Sequence, residues 1–299
     1  MSAFARVCLI GFGEVGQILA DDLAAAGVAH IAAFDILFGT KNSIPSKALE
    51  GRSVRPARNP PEAVRDCDLV ISAVTAASEL DAALSIVRGL GPGAFYLDVN
   101  SVSPRSKRRA CAVIQAAGGK FVEAAVMSPI APNRIASPML LGGHHAVEFV
   151  ARAEPLGFAG AQVFSEEIGP ASATKMCRSV MIKGIEALLT ESLLAARLYG
   201  VEETVLRSLG DLLPLPHWEK LARYMIARSL EHGRRRAEEM REVAQTIRDA
   251  GVEPVMSTAT AERQYWTAAY RSALTEEHLG ELLDHILDET EPQRAGGKG

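Results

Sequence analysis

With 299 residues and a mass of 31.9 kDa, the chain has room for about two domains, which excludes a peptide-sized scaffold. Hydrophobic residues make up 48% and charged residues 23%, ordinary globular usage that excludes a disordered or fibrous chain. The balance of 32 Lys and Arg against 36 Asp and Glu, a net −4, supplies no basic field for a phosphate backbone or an anionic membrane, so neither nucleic acid nor membrane is an expected partner.

Val7-Cys8-Leu9-Ile10 is a short apolar run stopped by Gly11, the pattern of a strand buried on both faces of a parallel sheet. Beyond the glycines, Val15, Ile18, Leu19, Leu23 and Ala26 recur at helical spacing until Gly27, and Ile31-Ala32-Ala33-Phe34 then leads to Asp35. The segment from Asn42 to Pro61, with its prolines and arginines, reads as an irregular connection. Strand-like runs return at Leu69–Val74, Ala94–Asp98, Lys120–Glu123 and Met139–Leu141, with helical stretches over Ser78–Leu90 and Pro104–Ala117, the second capped by Ser103. Strands alternating with helices predict an α/β, Rossmann-type doubly wound parallel sheet.

After Gly169-Pro170, Ala171–Tyr199 is one long helical pattern, and no strand-like run of useful length follows. Gly200, Gly210, Pro214-Leu215-Pro216, Gly251 and Pro254 divide the remainder into several helices, and the polar, Gly-rich Glu291–Gly299 reads as a disordered tail. The expected organisation is a dinucleotide-binding domain over residues 1–168, an interdomain helix over 169–199 and an all-α substrate and dimerisation domain over 200–299. Trp218, Tyr265, Trp266 and Tyr270 are expected in core or dimer packing. Cys8, Cys67, Cys111 and Cys177 are scattered without a CxxC pair, so they read as reduced core thiols with no metal site. No apolar run approaches a membrane helix of about 18 residues and no export signal is visible, so the expected location is the cytoplasm.

Gly11-Phe12-Gly13-Glu14-Val15-Gly16 is G-x-G-x-x-G between a strand and a helix. The first glycine makes the tight turn, the second lets backbone approach a pyrophosphate, and the third lets helix pack on strand; the phosphate then sits at a helix N-terminus. Asp35 follows Gly16 by 19 residues, where a carboxylate accepts the ribose hydroxyls of NAD and repels the 2′-phosphate of NADP. The expected cofactor is NAD, and the nearby Lys41 leaves NADP open.

The order of motifs resembles the β-hydroxyacid dehydrogenase superfamily, which includes 3-hydroxyisobutyrate and 6-phosphogluconate dehydrogenases, and the resemblance spans nearly the whole chain. Val74-Thr75 resembles the family turn beneath the nicotinamide ribose. Asn100 and Ser101 stand at the polar positions of its D-x-S-T segment, which hold the nicotinamide and the substrate carboxylate. Glu123–Pro129 occupies the place of its substrate loop, with Met127 and Ser128 where Ser-Gly-Gly is usual and Asn133 and Arg134 a few residues on. Gly169–Lys175 resembles the approach to the catalytic lysine, with Arg178 and Ser179 where the family usually has an Asn at +4.

That resemblance implies Lys175 as general acid/base, since a neutral amine can take a hydroxyl proton while hydride leaves the same carbon. Lys183 is the competing lysine, about 12 Å further along the helix at 1.5 Å per residue. His232, Arg235, Arg236 and Glu239 share one helical face, read either as solvated charge or as a cleft wall from which Arg235 or Arg236 pairs with a substrate carboxylate. Counting back from Gly251-Val252 places Glu238-Glu239-Met240 where the family carries a second lysine, so that lysine is absent. The implied activity is NAD(P)-dependent hydride transfer with a small hydroxy or polyhydroxy acid, in a homodimer or larger homo-oligomer. The alternatives are an oxidoisomerase or decarboxylating dehydrogenase of a sugar acid, and an NAD(P)-binding sensor with a degenerate site.

Overall fold

The computed structural model of the chain describes residues 2–212, 214 and 217–295. Leu215 and Pro216 of the expected break, and residues 296–299 of the expected tail, lie outside the described residues. The chain divides into two compact units, the first ending at Met176 and the second beginning at Cys177.

The first unit runs β1 (Arg6–Ile10), α1 (Glu14–Ala25), β2 (His30–Phe34), α2 (Ile44–Ala48), β3 (Arg55–Pro56), α3 (Pro60–Val64), β4 (Leu69–Ser72) and α4 (Glu79–Ile86). It continues with β5 (Phe95–Asp98), α5 (Pro104–Ala116), β6 (Lys120–Val126), α6 (Ile130–Asn133), β7 (Met139–Gly142), α7 (Ala146–Ala153), β8 (Ala161–Ser165) and the start of α8 (Pro170–Leu198). Among the described residues the strands form one sheet in the order β3-β2-β1-β4-β5-β6-β7-β8. Every pairing is parallel except β6 with β7.

Why the apolar runs become strands is visible in how they divide. Val7 and Leu9 of β1, Leu69 and Ile71 of β4, and Phe95 and Leu97 of β5 enter one buried cluster. Their neighbours Cys8, Ile10, Val70 and Tyr96 enter another on the opposite face. Successive side chains of a strand point to opposite faces, so a run that is apolar throughout is stable only with helices covering both.

The segment expected to be irregular is ordered. Ser43 caps α2 by accepting from the Ser46 amide, and Asn59 caps α3 by accepting from the Glu62 amide, each with proline in the first turn. Those prolines open helices rather than break them, because the first-turn position needs no amide hydrogen. Ser103 caps α5 in the same way, as its sequence predicts.

The second unit holds the rest of α8, followed by α9 (Glu202–Leu212), α10 (Trp218–Asp249), α11 (Val255–Thr267) and α12 (Leu279–Ala295). Its core gathers Leu193, Ile226, Leu230, Tyr270, Leu283 and Ile286, with Trp218 and Trp266 packed against it, while Tyr265 is exposed. α12 extends through residues 291–295, within the stretch expected to be disordered, because Glu, Gln, Arg and Ala form helix readily. Three cysteines are buried as expected, but Cys177 is exposed. No described helix is long and apolar enough to cross a membrane.

At the crossing of α10 and α11, a Cβ on Gly233 would lie 2.3 Å from the Gln264 carbonyl oxygen, so only glycine allows this approach. Beside it the Arg236 guanidinium is held by both oxygens of Glu186, and Gln264 Nε2 donates to the same carboxylate at 3.0 Å. All three residues are buried. Burial pushes the Glu186 carboxyl above its ordinary value against the pull of Arg236. Removing one partner of such a pair leaves an uncompensated charge. We therefore expect Arg236→Met to cost about 3–5 kcal/mol in urea unfolding. Because the raised group binds its proton more tightly folded than unfolded, the deficit of the variant should shrink as pH falls from about 7 to 5; a pH-independent deficit contradicts this account.

Candidate functional site

In an open parallel sheet, ligands bind beyond the carboxyl ends of the strands where the order reverses, here between β1 and β4. That edge presents Gly11 and Phe12 after β1, Asp35 after β2, Val74 and Thr75 after β4, Asn100 and Ser101 after β5, and Met127 and Ser128 after β6.

The three loop glycines are glycine for different reasons. Gly11 has φ +93°, and a Cβ there would lie 2.3 Å from the Ala73 carbonyl oxygen, so β1 and β4 close on it. A Cβ on Gly16 would lie 2.2 Å from the Gly11 carbonyl oxygen. Gly13 has an ordinary φ of −76° and nothing within 4 Å of an added Cβ, so nothing in the fold requires glycine there. It is the N-cap of α1 and offers no side-chain bond to the helix start, which leaves an open face beside the positive end of a helix dipole. Asp35 is fixed beside this loop, its Oδ2 accepting from the Phe12 amide at 2.8 Å and its Oδ1 from the Leu37 amide at 2.9 Å. The open glycine, the helix end and the carboxylate fit a dinucleotide. The Phe12 ring is turned away from that face, buried edge-on to Phe38; Glu14 is exposed and Val15 half-buried.

Asn100 joins two strand ends. Its Oδ1 accepts from the Val74 amide at 2.7 Å, and its Nδ2 donates to Ser72 Oγ at 2.9 Å and Asp98 Oδ1 at 2.7 Å. Both ends of the amide are therefore engaged within the protein, tying the end of β4 to the end of β5. Asp98 Oδ1 also takes the Asn100 amide at 3.0 Å and the ammonium of Lys107 at 3.0 Å, while Lys107 donates to the Asp98 carbonyl at 2.8 Å. Asp98 and Lys107 are both completely buried, so each supplies the counter-charge that makes burial of the other tolerable.

Ser101, the next residue, points its hydroxyl at Lys175: Nζ donates to Oγ at 2.6 Å. Lys175 is half-buried on the second turn of α8. The start of α8 is held from β6, where the fully buried carboxylate of Glu123 accepts the Gly169 amide and the Ser172 amide, each at 2.6 Å. A carboxylate satisfying two free amides at a helix N-terminus gains from both the hydrogen bonds and the dipole.

The remaining expected contacts are dispersed. Met127 and Ser128 are half-buried; the Met127 amide donates to the Pro138 carbonyl, and Ser128 Oγ turns back to the Pro129 carbonyl. Asn133 is exposed, and Arg134 is drawn to Asp22 of α1 at 2.7 Å. Arg178 is exposed and Ser179 half-buried, both in the second unit. Also there, Arg235 pairs with Glu239 at 3.2 Å. Two expectations are corrected: Arg236 is committed to Glu186, and Lys183 to Glu239 at 2.6 Å, so neither presents a free charge. Glu123 and Asp98 lie at the heads of the two segments marked by resemblance but had no role of their own there, and Lys107 was not foreseen; an acid inside the apolar run Phe121–Val126 is the signal that marks Glu123.

Known proteins resemble the chain over most of its length. Residues 6–162 match the family described as the NAD binding domain of 6-phosphogluconate dehydrogenase, and residues 196–267 match a domain of unknown function, DUF1932. A conserved hypothetical protein of Sinorhizobium meliloti 1021 is 35% identical over 95% of this chain and 97% of its own, with a TM-score of 0.70. A conserved protein of unknown function with structural similarity to 3-hydroxyacid dehydrogenases is 32% identical over 94% of this chain and 98% of its own, at 0.67. The 3-hydroxyisobutyrate dehydrogenase of Mycobacterium tuberculosis, solved with L-serine, shares the fold at 15% identity, covering 96% of this chain and 99% of its own, at 0.67. The chain thus belongs to the family built on the NAD binding domain of 6-phosphogluconate dehydrogenase, joined here to a DUF1932 domain, an NAD(P)-dependent oxidoreductase family with a hydroxyacid dehydrogenase-like fold.

Proposed function

We propose that the protein is a dehydrogenase of a small hydroxy or polyhydroxy acid, with Lys175 as its general acid/base. The observation that carries this reading is the bond of 2.6 Å between Lys175 Nζ and Ser101 Oγ, at the sheet edge that also presents the dinucleotide loop. The paired amine and hydroxyl resemble an acid/base with its alcohol. A substrate hydroxyl taking the place of the Ser101 contact would be within reach of the amine, and Ser101 would be left to orient the carboxylate or the same oxygen.

Bound nicotinamide supplies the acceptor for the hydride and its electron pair. Lys175, entering as the neutral amine, takes the hydroxyl proton as the carbon–oxygen bond becomes a carbonyl, and returns it in the reverse direction. Asn100 keeps the Val74 turn and Ser101 at a fixed separation. Asp35 receives the adenosine ribose and favours NAD over its 2′-phosphorylated form. The M. tuberculosis relative acts on 3-hydroxyisobutyrate, as its name states, which supports a short-chain acid as the starting point for a search.

The direct test is NADH formation from NAD with a panel of aldonic and 3-hydroxy acids. Turnover of at least one acid supports the proposal, whereas tight NADH binding without turnover of any favours a sensor. Lys175→Met keeps the aliphatic volume and removes the titrating amine; turnover should fall by roughly 10²–10⁴ with NADH affinity retained. Gly13→Ala should fold like the parent, since its Cβ meets no protein atom, yet lose NADH affinity in a fluorescence titration; unchanged affinity places the dinucleotide elsewhere. Asp35→Ala should narrow the preference for NADH over NADPH, and equal affinities in the parent protein contradict the role of Asp35.

A further inference from the structure

Asp98 and Glu123 are partners across β5 and β6, two buried acids side by side. Asp98 fixes the segment that carries Ser101, through the Asn100 amide and side chain. Glu123 fixes the first turn of α8, and Ser172, whose amide it holds, lies one helical turn before Lys175.

The surroundings are shaped to this contact. A Cβ on Gly142 would lie 2.6 Å from Glu123 Oε2, so β7 is bare where the carboxylate passes. Gly169, whose amide is bound, has φ +126°, a conformation that favours glycine. The Ser172 hydroxyl closes the turn by donating to the Gly169 carbonyl at 3.0 Å.

We propose that Glu123 is the positioning residue for Lys175: by capping α8 from β6 it sets the height and rotation at which the amine meets Ser101. This rests on the reading of Lys175 as acid/base, and Glu123 itself touches neither substrate nor cofactor. Helix propensity alone does not determine where a helix starts, because the first four amides have no partner within it. A buried carboxylate with two of them in hand removes that freedom, and a shift of about 1 Å at a reacting group can cost on the order of 100-fold in rate.

The test compares Glu123→Gln, which presents an NH2 group to one of the two amides, with Glu123→Asp, which keeps the charge but is one methylene short, in case the first variant fails to fold. With the best acid from the panel, kcat should fall by about 10–100-fold while KM and the Kd for NADH stay within about threefold. In the Lys175→Met background the same substitution should cost nothing further, since its effect runs through the amine. A readout that needs no substrate is acetylation of lysines by N-hydroxysuccinimide acetate, followed peptide by peptide in the NADH-bound protein. Lys175, released from Ser101, should react severalfold faster, with exposed Lys41 as the unchanged control. Unaltered Lys175 reactivity in both variants overturns the proposal, as does a loss of turnover that adds in full to that of Lys175→Met. If Lys175→Met is itself fully active, the catalytic reading fails, and the acetylation result still decides whether Glu123 places the amine.

Discussion

Two carboxylates on one rung of a buried sheet are an electrostatic liability, and the arrangement around Asp98 and Glu123 depends on how they are compensated. Burying a carboxylate is costly unless it is paired or hydrogen-bonded, so each requires its own partner. Asp98 has the ammonium of Lys107, reaching in from α5; Glu123 has the first amides and the positive end of α8. The two solutions lead in different directions, one into the loop after β5 and the other into the long helix. They converge where Ser101 meets Lys175. The second unit shows the same economy in Glu186, which is buried together with the guanidinium and amide that satisfy it.

Much of the first unit is legible in the sequence because the physics there is local. Apolar runs, the spacing of the glycines and Ser103 before Pro104 each specify a strand, a turn or a cap without help from distant residues. The turn to helices after Gly169 is equally plain. What the sequence conceals depends on partners far along the chain. The prolines of residues 42–61 read as breakers until Ser43 and Asn59 are seen capping helices around them. The charges of α10 read as a solvated face or a cleft wall, yet Arg236 turns inward to an acid contributed by α8.

The site shows the same division. Gly11, Gly13, Gly16, Asp35 and Lys175 can be picked from spacing and resemblance, because each stands at a set position relative to a strand end or a helix start. Asn100 can be picked from its motif, but its bonds to Ser72, Asp98 and Val74 cannot. A sequence records that a polar side chain is present and not how many of its hydrogen bonds are already made. Glu123 is the converse, an acid in an apolar run whose meaning appears only with the helix that it caps.

The closure around Asn100 also bears on how this chain can change over evolutionary time. Its oxygen takes a backbone amide and its nitrogen takes two side chains of neighbouring strands, so a hydroxyl at this position would strand at least one buried polar group. Ser72, Asp98 and Asn100 are free to drift only as a set, because each single step passes through an unsatisfied intermediate. The triplet therefore behaves as one unit, and substitutions within it are expected to be non-additive.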